Sequence, residues 1–366
     1  MTDHPNTLAK LTRPNLGGIL PRDRLYKRLD EGRDRSIIWL CGPPGSGKTT
    51  LIADYLDTWA PECIWYQVDP GDADVATFFY YMARALPEAG TEAGQAPLPL
   101  FTAEYQSNLP TFTRRYFREL FARLAPPFAL VFDNFQEVPS QSRLHEVLRH
   151  GLEELPAGGC VIFVSRRDPP TSMARFRANQ RMEVLDPDDL KLTREETAAL
   201  AQLRRPELDD TQIDKLYEKT QGWAAGLVLL LGRGEDQAPV GDVPKDVMPQ
   251  VVFDYLAGEL FEDLDADTRD LLLKTAWFQQ FTAGMADEFV GHPDSGSILK
   301  KMAHNDYFVT ARHGREDTVY QYHPLLREFL LRRGEDQLGA RERSGLQARA
   351  AELLEDAAQI EDAVEL

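Results

Sequence analysis

Gly42-Pro43-Pro44-Gly45-Ser46-Gly47-Lys48-Thr49 fits the pattern G-x-x-x-x-G-K-S/T. Ahead of it runs the apolar stretch Ile37–Cys41, and behind it residues 49–60 carry apolar side chains at helical spacing. A strand feeding a glycine-rich loop that opens a helix is the setting in which this pattern binds phosphate. Glycines let successive N–H groups converge on an anion at the positive end of a helix dipole. Pro43 and Pro44 lack N–H donors, so the cradle falls to Gly45, Ser46, Gly47, Lys48, Thr49 and Thr50, with Gly42 at its head. Lys48 is expected to reach the β- and γ-phosphates, and the Thr49 hydroxyl to bind Mg2+. The expected ligand is a nucleoside triphosphate or its diphosphate.

A second element is Ala129-Leu130-Val131-Phe132-Asp133, an apolar strand ending in an acid. Ligands of such sheets lie beyond the strand C-termini, which places Asp133 near the Mg2+ held by Thr49. Fast ATPases of this design add a second acid to polarise water, but the next residue is Asn134, and an amide is no general base. Glu137 is the nearest carboxylate, at the wrong spacing, so hydrolysis is expected to be slow. The strand Val161–Val164 ends in Ser165-Arg166-Arg167 at the same edge. There Arg166 can sense a γ-phosphate by a bidentate contact, while Arg167 reads as surface.

Outward from the loop, short apolar runs alternate with helix-patterned segments. Candidate strands are Ile37–Cys41, Ile64–Val68, Phe128–Phe132, Val161–Val164 and Met182–Leu185. Their cores are near-continuously apolar, as in a parallel sheet covered by helices on both faces. Helical spacing marks 49–60, 75–86, 109–124 and 141–155, and 88–103 reads as a long surface loop. The fold class is therefore α/β, a P-loop NTPase sheet. After Leu185 the strands give way to helices: Thr193 with Glu196 makes a capping box, and Asp209 or Asp210 caps a second helix. Gly232–Val243 reads as a linker. Helices near 250–264, 268–278 and 297–303 lead to a strand–turn–strand over 307–322, the outline of a winged helix. Domains are expected at 1–186 (nucleotide-binding), 187–245 (helical, with linker), 246–335 (winged helix) and 336–366. The last stretch is helical and ends in mid-pattern, which implies the front portion of something longer.

Composition bounds the function. The 366 residues carry 41 Lys and Arg against 59 Asp and Glu, a formal charge of −18 that phosphate backbones repel. Direct nucleic-acid binding is not expected. The densest apolar run, Leu227–Leu231, is too short to span a membrane, and residues 1–10 lack the pattern of a signal peptide. A cytoplasmic location is expected. Cys41, Cys63 and Cys160 have no spacing for a disulfide framework or a zinc site and read as buried thiols.

These residues resemble a known family. Lys10-Leu11-Thr12-Arg13-Pro14 and Leu20-Pro21-Arg22-Asp23-Arg24-Leu25 precede the loop. Val164-Ser165-Arg166-Arg167-Asp168-Pro169-Pro170, Gly222-Trp223-Ala224-Ala225-Gly226-Leu227 and Tyr322-His323-Pro324-Leu325-Leu326-Arg327 follow it in order. The ordered set resembles the ATPase module of MalT-type, LuxR-family transcriptional regulators within the STAND class of signal-transduction NTPases. The resemblance implies a nucleotide-binding domain, a small helical domain, a winged helix, and then a superhelical repeat domain for an inducer and a DNA-binding domain. Neither of the last two falls within these residues; 336–366 would begin the repeats. It also implies a switch in which ADP holds a closed monomer, while inducer and ATP open it for self-association. By the same resemblance Arg22 lies near the base and ribose, and His323 touches the ADP β-phosphate. Ala224 replaces the family's proline against the adenine, which puts that contact in doubt.

Other readings stay open from the residues alone. A small-molecule kinase on the same loop would need a substrate pocket and a basic lid, and neither is evident; a P-loop ATPase working as a ring would need a catalytic glutamate and an arginine from a neighbour. The hairpin and following helix hold Arg312, Arg315, Arg327, Arg332 and Arg333, but Asp306, Glu316, Asp317, Glu328 and Glu335 offset them, which favours a solvated mixed-charge face over a DNA reader.

Overall fold

A computed structural model of the chain describes residues 8–14, 19–59, 61–86, 97–232, 249–262, 264–291, 294–304, 308–313, 317–337 and 339–356. Most of the 88–103 loop, nearly all of the linker, Asp306, Arg315, Glu316 and the end of the last helix lie outside the described residues. The chain forms two compact units. One holds residues up to Gly42 and Gly47–Leu190; the other holds Pro43–Ser46 and Lys191–Leu366.

The first unit runs α1 (Asp23–Arg35), β1 (Ile37–Cys41), α2 (Lys48–Trp59), β2 (Glu62–Gln67), α3 (Val75–Arg84), α4 (Leu109–Phe121), β3 (Phe128–Asp133), α5 (Leu144–Leu152), β4 (Gly159–Ser165), α6 (Ala174–Ala178), β5 (Met182–Leu185) and α7 (Pro187–Leu190). The strands order as β2-β3-β4-β1-β5, and every pairing is parallel. β1, β3 and β4 are buried along their whole length, which is why their sequences do not alternate. On one face Trp39, Tyr66, Phe132 and Phe163 meet Phe78, Phe112, Tyr116 and Phe117. On the other, Ile38, Leu40, Val131 and Ile162 meet Leu25, Leu29, Ile52 and Leu56. The chain leaves β1 for the far edge of the sheet, so the crevice beyond β1 is a topological switch point. Register sets Cys41 level with Ser165, and Gln67 level with Asp133. The carboxyl ends of β1, β3 and β4 thus form one edge.

All five expected strands are present, to within two residues at each end. Helix α1 has no counterpart in the sequence reading. It buries only Leu25, Leu29 and Gly32 among 13 residues, a stripe too narrow to stand out in so charged a segment.

The second unit continues with α8 (Arg194–Arg204), α9 (Asp210–Thr220), α10 (Ala224–Leu230), α11 (Gln250–Leu256), α12 (Ala266–Thr275), β6 (Phe281–Thr282), α13 (Ala283–Val290), α14 (Ser295–His304), β7 (Val309–His313), β8 (Thr318–Tyr322), α15 (Pro324–Gln337) and α16 (Ala340–Asp356). Capping boxes start α8 at Thr193 with Glu196, and α9 at Asp209 with Gln212. A π-helical turn, Ala257–Phe261, extends α11. The strands pair antiparallel in the order β6-β8-β7. Helices α12, α13 and α14 with this sheet make the winged helix around Leu272, Phe278, Phe281, Leu299 and Phe329. The three helices differ from those read in sequence, because α13 is short, holds Gly284, and follows a strand of only two residues. The segment 250–264 lies ahead of the trio.

Candidate nucleotide-binding site

Gly45 and Gly47 take φ of 71° and 84°, backbone that a side chain rarely adopts, and this bends the loop between β1 and α2. Gly42 N–H donates to Ser165 O at 3.3 Å, tying the head of the loop to β4. Lys48 opens α2 and is buried, with Nζ donating to Gly42 O at 2.7 Å. Burial pulls its pKa down from 10.5 to about 8; Cys41 and Asp133 oppose the fall, while the positive charge of Arg166 adds to it. The charge of Arg166 therefore bears on the ammonium that the phosphates are expected to meet.

Thr49 Oγ1 lies 3.1 and 3.3 Å from the two carboxylate oxygens of Asp133. Asp133 is buried, and this raises its pKa against the hydrogen bonds from Thr49 and the Asn134 N–H and the charge of Lys48. A hydroxyl and a carboxylate set side by side at the head of a phosphate loop are hard oxygen donors of the kind Mg2+ takes, alongside water and phosphate oxygens. The residues present fit that ion. When bound, Mg2+ neutralises phosphate charge, and Thr49 and Asp133 would hold it.

Asn134 follows in the left-handed region, with φ of 60°, where asparagine is well tolerated. Gln136 joins the ends of β3 and β4: its Oε1 accepts the Arg166 N–H at 3.1 Å, and its Nε2 donates to Asn134 Oδ1 at 3.4 Å. The sequence reading does not single out Gln136, since a lone glutamine in a turn carries no motif. Glu137 is exposed, and Arg167 is exposed as well. Arg22 is buried at the start of α1 and donates to Leu190 O at 2.9 Å. In the first unit the fold thus gathers Gly42, Gly47, Lys48, Thr49, Asp133 and Arg166 at one sheet edge.

The loop residues Pro43–Ser46 pack with the second unit. Trp223 Nε1 donates to Pro44 O at 3.0 Å, and the Ala225 N–H donates to Gly45 O at 2.9 Å. Ser46 N–H closes the turn onto Pro43 O at 3.3 Å. A Cβ on Gly45 would sit 2.4 Å from Ala225 Cβ and 2.9 Å from Trp223 Nε1, so only glycine fits. Trp223 is buried, as its Gly-Trp-Ala setting allows, yet it reaches the phosphate loop through its indole N–H.

His323 is half-buried in the second unit, between β8 and α15. Its Nε2 lies 2.8 Å from Thr220 O, and its Nδ1 accepts the Leu325 N–H at 3.2 Å. Carbonyl on one side and N–H on the other fix a neutral tautomer. Burial, despite the Thr220 bond, drives its pKa to about 4. A phosphate contact from His323 therefore requires one of these bonds to break.

Among the described residues no group of three or more His, Cys, Asp and Glu side chains forms a metal cage, and no helix is long and apolar enough to cross a membrane.

Residues 30–167 match the AAA domain family, and residues 257–342 match the MalT winged helix domain. The chain is 25% identical over 359 residues to the HTH-type transcriptional regulator MalT of Vibrio cholerae, covering 96% of this chain and 39% of that protein. It is 26% identical over 335 residues to MalT of Cronobacter sakazakii, covering 89% and 36%. The chain thus spans somewhat over a third of the length of these relatives. In fold it resembles a Walker-type ATPase of Pyrococcus abyssi, with a TM-score of 0.61, 13% identity, and coverage of 85% of this chain and 96% of that one. With an AAA domain first and a MalT winged helix domain after it, the chain is built from the parts of a MalT-type module.

Proposed function

We propose that this chain is the nucleotide-controlled switch of a transcriptional regulator, in which ATP and ADP favour different states and slow hydrolysis returns one to the other. The observation that supports the reading is a group of residues suited to phosphate and a cation beside an amide where a catalytic base would stand. Lys48 rests on Gly42, Thr49 faces Asp133, and Asn134 follows. A ligand shifts an equilibrium only by its differential affinity for two states. Arg166 would supply that difference for a γ-phosphate and His323 for a β-phosphate, while Arg22 would lie near the base and ribose. The regulatory part of the proposal rests on relatives that are named HTH-type transcriptional regulators. An inducer would act through a region outside this chain, and self-association would belong to the ATP state. DNA contact would fall to another part of the protein, in keeping with the charge of −18.

The test is to denature freshly purified chain and identify the released nucleotide by ion-exchange chromatography. Near-stoichiometric ADP is expected, and its loss in Lys48→Ala. Phosphate release below about one turnover per second is expected as well, the low end of the enzyme range. No retained nucleotide together with tens of turnovers per second would refute the switch and favour a conventional ATPase or small-molecule kinase.

A further inference from the structure

A cavity of about 460 Å3 opens on the first unit among α4, α5 and the segment from α6 to β5. It is set apart from the phosphate loop. Arg181 in its wall directly precedes β5 and so marks the amino edge of the sheet, whereas the loop follows β1 at the carboxyl edge. Four guanidinium groups line the cavity, those of Arg114, Arg149, Arg175 and Arg181, with Glu153 as the one carboxylate among the lining residues. In a chain of net charge −18 this is a local reversal of sign.

The pairing inside the cavity leaves positive charge over. Glu153 is shared between Arg114 at 3.3 Å and Arg149 at 3.5 Å. Burial works against its ionisation, but hydrogen bonds from His150 and Arg114 outweigh that and hold its pKa below the usual carboxylate range. Arg175 and Arg181 make no ion pair among the described residues; Arg181 lies over the Phe176 ring at 5.5 Å. The nearby Arg118 is neutralised by Glu154 at 2.9 Å. Behind the wall the buried ring of His150 has Arg114 at 2.8 Å from Nδ1 and Arg149 at 2.6 Å from Nε2. Glu153 Oε2 lies 3.4 Å from Nδ1, and Glu146 lies 3.9 Å from Nε2. A neutral imidazole has one lone pair, so it can accept from one of these guanidiniums and not both. With Nδ1–H given to Glu153, the ring accepts from Arg149, and Arg114 has only a share of the Glu153 carboxylate, an arrangement that an anion in the cavity would relieve.

We propose that this cavity is a second anion site, distinct from the phosphate loop, that takes a small phosphorylated molecule. Guanidinium forks match phosphate oxygens in bidentate geometry, and the volume lies in the range of small-ligand sites rather than protein interfaces. Phe176 gives the cavity an apolar floor, and Asn179 adds a polar group at its rim, which accommodates a body attached to the phosphates.

The probe is inorganic pyrophosphate, titrated calorimetrically at low salt into the 366-residue chain carrying Lys48→Ala, with saturating ADP and Mg2+ to occupy any loop binding that remains. One pyrophosphate per chain is expected, weakening as salt rises. In the same background Arg149→Ala with Arg181→Ala is expected to lower the affinity at least tenfold, while in the chain with Lys48 intact ADP binding stays unchanged. Arg175→Glu, an exposed position that leaves the fold alone, is expected to do the same if the double variant does not fold. Inorganic phosphate is expected to bind more weakly than pyrophosphate, and citrate more weakly still. No pyrophosphate binding to the Lys48→Ala chain, or binding untouched by the arginine variants, overturns the site. Citrate binding as well as pyrophosphate overturns the assignment to phosphate.

Discussion

Raising the pH should weaken nucleotide binding and stabilise the free protein at once, because both effects originate in Lys48. Its ammonium is buried with a pKa of about 8, while the unfolded chain titrates it near 10.5. Phosphate binding needs the charged form. Affinity for ADP should therefore fall by the factor 1 + 10^(pH − 8), roughly tenfold between pH 7 and 9. The proton must come from solvent, so binding at pH 9 should take up about 0.9 proton per nucleotide, against about 0.1 at pH 7. Calorimetry in buffers of different ionisation enthalpy reads both quantities. In the free protein the sign is opposite: above pH 8 the unfolded state holds more protons than the folded state, so stability rises with pH. Between pH 8 and 9.5 the gain is about 1.5 kcal/mol by denaturant titration. The window closes near pH 10, where tyrosines such as Tyr66 and Tyr116, whose burial raises their pKa values, begin to favour the unfolded chain. ADP affinity that stays flat from pH 7 to 9.5, with no proton uptake, would refute a buried low-pKa lysine as the phosphate ligand.

Removing the indole N–H with Trp223→Phe leaves the Pro44 carbonyl short of its donor, and a loss of about 1–3 kcal/mol in stability is expected by urea denaturation, with weaker ADP binding; lower stability with unchanged ADP binding would make Trp223 plain core. His323→Ala strips partners from Thr220 O and the Leu325 N–H and should cost about 2–4 kcal/mol. It should also remove part of the stability lost on acidification from pH 6.5 to 4, where the unfolded histidine takes up a proton before the folded one does. In that variant a greater loss of ADP than of ATP affinity supports a β-phosphate contact, and equal losses place the ring in the core alone. Asn134→Asp should raise phosphate release tenfold or more if hydrolysis lacks only a base; no rise would mean that water positioning is missing too.

How far the sequence carries the reading depends on distance along the chain. The loop, its strand and its helix are contiguous, and the strands of the sheet announce themselves because burial on both faces leaves unbroken apolar runs. Asp133 and Arg166 are legible because strand ends of a parallel sheet share an edge. Gln136 is not, since its role lies in an amide spanning 30 residues to the Arg166 N–H. Nor is the hold on the loop, where Trp223 and Pro44 are 179 residues apart and nothing in Gly-Trp-Ala says that the indole N–H points to a carbonyl. Helix α1 and strand β6 fail for a third reason: one buries too narrow a stripe and the other has two residues, so neither produces a period to read.

Asn134 answers two demands at once. Asp133 already bears the electrostatic cost of burial, as its raised pKa records, and it relies on Thr49, the Asn134 N–H and Lys48 to stay charged. A carboxylate one residue on would set a second negative charge beside it, drawing on the same Lys48 charge, which would raise both pKa values and loosen the nucleotide-free protein. The asparagine amide avoids that repulsion and accepts from Gln136, whose other end receives the Arg166 N–H, so the ends of β3 and β4 are joined by groups that do not titrate. The same amide cannot take a proton from water. Under the proposed function, low repulsion in the free state and a weak hydrolytic step would follow from a single residue choice, and the Asn134→Asp variant should gain in the second only by losing in the first. An engine that must turn over quickly has reason to accept that loss; a switch that must wait does not.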